Sequence, residues 1–156
     1  MKHICFFIGH RDAPQVLLPL LEDNVERYIA QYGVREFLVG HYGNFDRLAT
    51  SAVKSAKKKH PEIKLTMLLP YHPAIQQYEP GPGFDGSLYP PDMERVPRRV
   101  AIVKANEYAI RNCGFLICYN RNQIGNTRKL IEMALRRQAK GEMHVENLAE
   151  SPDNVS

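Results

Sequence analysis

Residues 3–9 read HICFFIG, a continuous apolar run that ends in glycine. The same kind of run recurs as VREFLVG at 34–40, IKLTMLL at 63–69 and GFLICY at 114–119. Runs of this kind are typical of strands that are buried on both faces of a parallel sheet. A shorter candidate strand, MHVENL, follows at 143–148. The sequence therefore predicts a parallel sheet of about five strands.

Helical patterns lie between these runs. Leu48, Ala52 and Ala56, for example, recur at the spacing that places side chains on one face of a helix. Strands that alternate with helices predict an α/β protein with a Rossmann-like three-layer fold. We expect one domain over residues 1–148, followed by a disordered acidic tail over 149–156. Helices are predicted up to Gly33, over 45–59, over about 97–112 and over about 127–140.

The segment 70–97 follows neither pattern. It holds seven of the 11 prolines and three of the 10 glycines. A segment of this length without periodicity is usually functional or disordered, and its aromatic residues argue against disorder. We expect residues 71–96 to cover the carboxyl edge of the sheet, with Tyr71, Phe84 or Tyr89 presenting a ring to a ligand or to the core.

The composition is that of a globular protein, with 44% hydrophobic and 24% charged residues. No apolar run reaches the roughly 18 residues of a membrane span, so we expect no membrane partner. Cys5, Cys113 and Cys118 form no CxxC pair and no even set, which favours the reducing cytoplasm. Residues 1–141 carry 21 Lys and Arg against 13 Asp and Glu, a net charge of +8. This excess favours an anionic partner such as a nucleotide, a nucleic acid or phosphate.

Polar and glycine-bearing loops follow the predicted strands, at the edge where parallel α/β sheets bind their ligands. Two of these loops, 40–44 and 125–127, enter helices through glycine and small polar residues. Unused N–H groups at such a helix start bind anions. Three arginines lie in the same set of loops. The candidate ligand-binding residues are Gly9, His10, Arg11, Gly40, Gly43, Asp46, Arg121, Gly125, Asn126 and Thr127.

Three histidines, His10, His41 and His72, each follow a different predicted strand. Neighbouring strands lie about 4.8 Å apart, so three in a row would spread these side chains over roughly 10 Å. That spread is too wide for one zinc ion unless the loops fold inward. We therefore predict no metal site and no cofactor, and we expect these side chains to bond loop backbone or a ligand.

Four blocks occur in a fixed order along the chain: ICFFIGHRDA, VGHYGNFDRLA, the proline-rich PYHP to PPDMERVPRR, and IGNTRKLIEMA. Together they resemble the SLOG superfamily, most closely its small bacterial members, over about residues 3–148. This superfamily includes the Lonely-guy phosphoribohydrolases and DNA-processing protein A. The resemblance implies a Rossmann-like fold and a nucleotide or nucleotide-derived ligand. The residues that match its three ligand loops are Gly9 and Arg11, then Gly40, Gly43 and Asp46, then Gly125 and Thr127.

The resemblance also names residues for catalysis. The phosphoribohydrolases carry Pro-Gly-Gly-x-Gly-Thr-x-x-Glu at the last loop and an arginine on the preceding helix, which Arg98 or Arg99 would match. Here Leu130 occupies the position of that glutamate. Glu132 follows two residues later, about 200° further round the helix. The catalytic residues stay unassigned, with Asp46, Glu132, Arg98 and Arg99 as candidates.

We expect the chain to bind a nucleotide-type small molecule at the carboxyl edge of the sheet. The alternative is an enzyme that cleaves the N-glycosidic bond of a nucleoside monophosphate. A nucleic-acid-binding module ranks third, because the aromatic residues gather in one segment instead of interleaving with Lys and Arg. Whether the ligand is turned over, and whether the chain forms a homo-oligomer, stays open at this point.

Overall fold

A computed structural model of the chain describes residues 1–76 and 79–150, and within them the chain forms six strands and four α-helices. None of these helices is long and apolar enough to cross a membrane. The strands are β1 (Ile4–Gly9), β2 (Glu36–Val39), β3 (Lys64–Leu68), β4 (Gly86–Leu88), β5 (Phe115–Tyr119) and β6 (His144–Asn147). The helices are α1 (Leu18–Tyr32), α2 (Asn44–Lys59), α3 (Ala101–Asn112) and α4 (Asn126–Ala139).

The six described strands run parallel in one sheet, in the order β4-β3-β2-β1-β5-β6. The chain builds outward from β1 to β4 and then returns, so that β5 pairs with the free side of β1. The direction of construction therefore reverses between β1 and β5. In open parallel sheets, a reversal of this kind opens a crevice outside the carboxyl ends of the two strands. Here those ends are Gly9 and Tyr119.

Strand β1 shows how helices cover both faces of the sheet. Cys5 and Phe7 are buried among residues of α1 and α2, whereas Phe6 and Ile8 are buried among residues of α3 and α4. Because both faces of β1 are covered, its sequence is apolar at every position instead of alternating. The predicted three-layer Rossmann-like α/β fold is confirmed.

The sheet has one strand more than the five or so predicted from the sequence. This additional strand, β4, lies inside the proline-rich segment and pairs with residues Thr66–Leu68 of β3. Its three residues are exposed or half-buried, so they form no apolar run. Hydrogen bonds from the residue before it fix it instead. Asp85 N–H donates to the Leu65 carbonyl and Leu65 N–H donates to the Asp85 carboxylate, both at 2.8 Å.

The aromatic residues of the proline-rich segment divide between the two sides of the sheet. Tyr71 and Tyr89 pack against the core beneath α3 and α4, and Phe84 packs against the core beneath α1 and α2. Tyr71 and Tyr89 also line a small cavity of about 110 Å³ that is separate from the reversal point of the sheet. Phe84 in addition lines a cavity, which is described below.

Several predicted boundaries shift in the structure. The end of α1 is where it was predicted: the last helical residue is Tyr32, and Gly33 follows with a φ of 69°, as expected of a helix-ending glycine. The helix predicted from about residue 97 begins at Ala101, after a 3-10 turn over Arg98–Val100. Of the predicted tail 149–156, the first two residues belong to the 3-10 turn Leu148–Glu150, and residues 151–156 lie outside the described residues.

Candidate functional site

A cavity of about 310 Å³ opens where the strand order reverses, and we call it the switch-point cavity. Its walls come from the loops after β1 and β2, the first turns of α2 and α4, and one face of α3. The volume lies at the lower end of the range for small-molecule sites. Eight of the ten predicted ligand-binding residues line it: Gly9, His10, Arg11, Gly40, Gly43, Asp46, Asn126 and Thr127.

The loop after β1 is fastened to the start of α2. The backbone N–H of Asn44 donates to the carbonyl of Arg11 at 2.9 Å, and that of Phe45 donates to the carbonyl of His10 at 3.4 Å. The Asn44 side chain donates to the carbonyl of Ala13 at 2.6 Å. The first two N–H groups of α2 are thus used by the protein's own carbonyls. This helix start, which the sequence suggested as one of two anion sites, instead positions the loop that carries Arg11.

Two glycines allow this close approach. A Cβ atom at Gly43 would lie 2.5 Å from the Cα atom of Arg11, closer than real Cβ contacts come. A Cβ atom at Gly9 would collide with the ring of Phe45. Any larger residue at either position would therefore push the β1 loop and α2 apart. The glycines keep Arg11 at the wall of the cavity.

The start of α4 presents unused N–H groups to the same cavity. Its first intrahelical bond runs from the Lys129 N–H to the Gly125 carbonyl, at 3.1 Å. No described residue accepts a hydrogen bond from the backbone N–H groups of residues 126–128. Gly125 precedes them with φ 106° and ψ 175°, a conformation that is essentially restricted to glycine. These N–H groups and the helix dipole favour an anion at this wall.

His10 joins the two halves of the sheet at the reversal point. Its Nε2 atom accepts the backbone N–H of Arg121 at 2.9 Å, and its ring packs edge-on against Tyr119, with centroids 5.5 Å apart. The backbone N–H of His10 donates to the Tyr119 carbonyl at 3.3 Å. Arg121 takes part through its backbone, and its guanidinium lies 5.6 Å from the Tyr119 ring centroid. Arg121 is not among the residues that line the cavity.

Asp46 places a carboxyl group in the cavity wall. Its Oδ2 atom accepts the backbone N–H of Tyr42 at 2.9 Å. Desolvation by burial raises the pKa of Asp46 to about 6, although the Tyr42 bond and the charge of Arg11 act in the opposite direction. An aspartate with a pKa near neutrality is suited to take up or release a proton during a reaction.

Among the four catalytic candidates, only Asp46 lines the cavity. Glu132 forms an ion pair within α4, at 3.5 Å. Arg98 donates to the side chain of Gln76 at 3.2 Å and borders a separate, smaller cavity of about 110 Å³. Arg99 is exposed on the 3-10 turn before α3. Arg98 and Arg99, which were matched to the family's helix arginine by sequence, therefore both lie outside the cavity lining.

The cavity also has a wall that the sequence did not reveal. Ile102, Val103 and Asn106 form it, and their spacing puts them on one face of α3. α3 reaches this place because it connects to β5, which pairs with β1 on the side away from β2. No local pattern encodes that crossing. Phe7, Ile8, Tyr42 and Leu130 complete the lining.

The three histidines that follow strands have separate surroundings. His10 bonds the β5 loop, the His41 ring lies 4.2 Å from the Tyr42 ring, and the His72 Nδ1 atom accepts the N–H of Ala74 at 2.9 Å. Within the described part of the chain, no group of three or more His, Cys, Asp or Glu side chains is arranged to hold a metal ion.

The switch-point cavity therefore has two electrostatically different walls. The start of α4 offers N–H donors with the Asn126 and Thr127 side chains, and Arg11 adds a positive charge. Asp46 offers a carboxyl group on the α2 wall. The first wall suits an anionic group and the second suits hydroxyl groups that donate hydrogen bonds.

No protein-family model matches this chain, and no curated protein matches it.

Proposed function

We propose that the chain binds a nucleotide or nucleotide-derived phosphate ligand in the switch-point cavity. The observation that carries this proposal is the first turn of α4, whose N–H groups at 126–128 have no acceptor among the described residues. The Asn126 amide, the Thr127 hydroxyl and the Arg11 guanidinium line the same cavity and add donors. A phosphate group has enough acceptor oxygens to use several of these donors at once.

Asp46 gives the bound ligand an orientation. Its carboxylate repels a phosphate, but it accepts hydrogen bonds from hydroxyl groups. The phosphate then binds at the start of α4 and the sugar hydroxyls face Asp46. A sugar phosphate thus uses both walls of the cavity, whereas inorganic phosphate uses one. The resemblance to the SLOG superfamily supports the same ligand class, because it implies a nucleotide-derived ligand.

A second candidate function is hydrolysis of the N-glycosidic bond of a nucleoside monophosphate. One observation favours it, namely the Asp46 carboxyl group, whose pKa is raised to about 6. In the orientation above, this carboxyl group lies on the sugar side of the ligand. There it is able to take a proton from a water molecule that attacks the sugar carbon, while the base leaves with the bonding electron pair.

Calorimetric titration with nucleoside monophosphates and with inorganic phosphate tests the binding proposal. Asn126→Asp places a negative charge at the start of α4, and we expect it to lower the affinity for both ligands by about tenfold or more. Asn122→Asp adds the same charge in the preceding loop, at an exposed residue outside the cavity lining, and serves as the matched control. Equal affinities for the wild-type protein and Asn126→Asp would put the ligand elsewhere.

The same preparation separates the nucleotide proposal from nucleic-acid binding. Binding of DNA with a steep dependence on salt, not competed by mononucleotides, would favour a module that uses the basic surface instead. Competition by mononucleotides at the affinity measured for them alone would support a common site in the cavity.

A further inference from the structure

A second cavity, of about 390 Å³, adjoins the switch-point cavity, and we call it the side cavity. The two cavities share Gly40 and Asp46 as wall residues. The side cavity lies along the first two turns of α2, beside the end of β3, and beneath Phe84 of the proline-rich segment. A ligand oriented with its sugar at Asp46 would therefore have the side cavity next to the sugar.

The polar wall of the side cavity belongs to one face of α2. Asp46 and Arg47 lie one turn before Thr50 and Ser51, and all four line the cavity. The two hydroxyl groups each offer a donor and an acceptor. They suit a ligand edge that carries both kinds of group.

The apolar wall consists of Met67 at the end of β3 and the ring of Phe84. Phe84 is held in place by its neighbour Asp85, whose N–H and carboxylate both bond Leu65 of β3 at 2.8 Å. The Nζ atom of Lys54 also lies 5.5 Å from the Phe84 ring centroid. The ring is therefore a preformed surface, and a ligand that stacks on it has little ordering cost.

One arginine and Asp46 line each of the two cavities, but their helix starts differ. The side cavity lies beside the start of α2, where the N–H groups of Asn44 and Phe45 already donate to carbonyls of the β1 loop. Burial lowers the pKa of His41, which keeps this imidazole neutral at neutral pH. Arg47 adjoins Asp46, so that one positive and one negative group border the cavity together. These surroundings suit an uncharged group better than a second phosphate.

We propose that the side cavity binds the heteroaromatic ring of the ligand whose phosphate occupies the switch-point cavity. Phe84 contacts one face of the ring, Met67 adds apolar contact, and Thr50 and Ser51 bond its polar edge. This inference rests on the proposed function, because it takes the phosphate and sugar positions from it. It adds the place where the ring of that ligand binds and the residues that recognise it.

The experiment compares four probes in calorimetry: AMP, GMP, ribose 5-phosphate and inorganic phosphate. We expect the wild-type protein to bind AMP or GMP at least about tenfold more tightly than ribose 5-phosphate, since stacking of one base has about this effect or more. Phe84→Ala should remove this difference while leaving the affinity for ribose 5-phosphate unchanged. Thr50→Val, which keeps the volume of the side chain, should lower the affinity for the nucleotide but not the affinity for ribose 5-phosphate.

A matched pair of serines controls for general effects on α2. Both serines are exposed on α2, but Ser51 lines the side cavity and Ser55 lines neither cavity. Ser51→Ala should lower the affinity for the preferred nucleotide, and Ser55→Ala should leave that affinity unchanged. Thermal unfolding of each variant checks that the fold persists.

The outcomes separate the two proposals. If the wild-type protein binds a nucleotide and ribose 5-phosphate equally well, the ring site is wrong and the phosphate site stands. If it binds none of the four probes, the proposed function itself is wrong. If Phe84→Ala lowers the affinity for ribose 5-phosphate as much as the affinity for the nucleotide, Phe84 only supports the fold. In that case too, the proposed ring site is wrong.

Discussion

The Nε2 atom of His10 accepts a hydrogen bond from the backbone N–H of Arg121, with 2.9 Å between the two nitrogen atoms. This bond joins the loops after β1 and β5, the two strands between which the sheet reverses its order. One loop carries Arg11 and the other leads to Asn126 at the start of α4. The His10 ring therefore helps to set the distance between two walls of the switch-point cavity.

Replacing His10 tests this bridge. His10→Phe keeps an aromatic ring beside Tyr119 but has no acceptor for the Arg121 N–H. We expect the free energy of unfolding to fall by about 1 kcal/mol, the usual contribution of one hydrogen bond. The phosphate affinity should fall as well. Urea unfolding and calorimetry measure the two effects.

Arg121→Ala is the control for this prediction, because it keeps the backbone N–H and hence the bond to His10. Its free energy of unfolding should stay within about 0.5 kcal/mol of the wild-type value. A loss in Arg121→Ala as large as that in His10→Phe would assign the effect to the arginine side chain and contradict the bridge.

The contact between Gly43 and Arg11 makes a second prediction. In Gly43→Ala, the new methyl group would lie 2.5 Å from the Cα atom of Arg11, so the β1 loop must move. We expect a loss of about 1–3 kcal/mol in the free energy of unfolding, as is usual for overpacking. Gly81→Ala is the matched control, since a Cβ atom there meets nothing within 4 Å. Equal stability of both variants would show that the loop is not tightly held against α2.

The sequence predicted those parts of the site that local chemistry specifies. The apolar run ending at Gly9 indicates a buried parallel strand, and the rule for the carboxyl edge brings His10, Arg11 and Asn126 into one region. What the sequence could not give is which helix start stays open. That outcome depends on Asn44, whose N–H and side chain bond the β1 loop, a contact between segments that are far apart in sequence.

The structural features that the sequence did not predict depend on contacts between segments that are far apart along the chain. β4 is an edge strand held by backbone pairing to β3, so its side chains carry no apolar pattern. The α3 wall with Asn106 depends on how the chain crosses the sheet, which is a property of the topology. The Arg98 and Glu132 candidates came from matching positions along the chain. Their actual partners lie outside the cavity lining.

The raised pKa of Asp46 predicts a dependence of stability on pH. The pKa is about 6 in the folded protein, against about 3.9 for an aspartate in an unfolded chain. The folded state thus binds more protons between these values, and the free energy of unfolding decreases as the pH rises through this window. Asp46→Asn cannot lose a proton there. Its stability relative to the wild-type protein should rise from about pH 4 to about pH 6 and then level off.

Urea unfolding at a series of pH values measures this difference directly. Subtracting the two stability curves removes the contributions of all other titrating groups, because the variant shares them. A constant difference between the proteins across the whole window would contradict the raised pKa of Asp46.

The same carboxyl group should make anion binding dependent on pH. As Asp46 ionises, it adds a negative charge to the wall of the cavity, so affinity for an anion should fall as the pH rises through about 6. Sulfate is the suitable probe, because its charge stays constant where a phosphate monoester, with a second pKa of about 6, changes its own. Asp46→Asn should bind sulfate with a weaker dependence on pH. Identical pH profiles for the two proteins would place the anion away from Asp46.

The number of carboxyl groups in the switch-point cavity bears on whether a bound nucleotide is hydrolysed. Most glycoside hydrolases use a pair of carboxyl groups, one on each side of the bond that breaks. Among the described residues that line the switch-point cavity, Asp46 supplies the only carboxyl group. Glu132 lies outside this lining and forms an ion pair within α4. We therefore expect nucleoside monophosphates to bind without efficient release of the free base, at rates well below the enzyme median of about 10 per second.

The assay follows release of free base from AMP and other nucleoside monophosphates by the purified protein, beside Asp46→Asn and Glu132→Ala. Release near the median rate that Asp46→Asn abolishes and Glu132→Ala leaves unchanged would contradict our expectation and establish the hydrolase, with Asp46 as its proton-transfer group. Release abolished by Glu132→Ala would instead require this side chain to leave its ion pair and reach the ligand. Release that neither substitution changes would not depend on the Asp46 carboxyl group, so the hydrolase mechanism proposed for this cavity would be wrong.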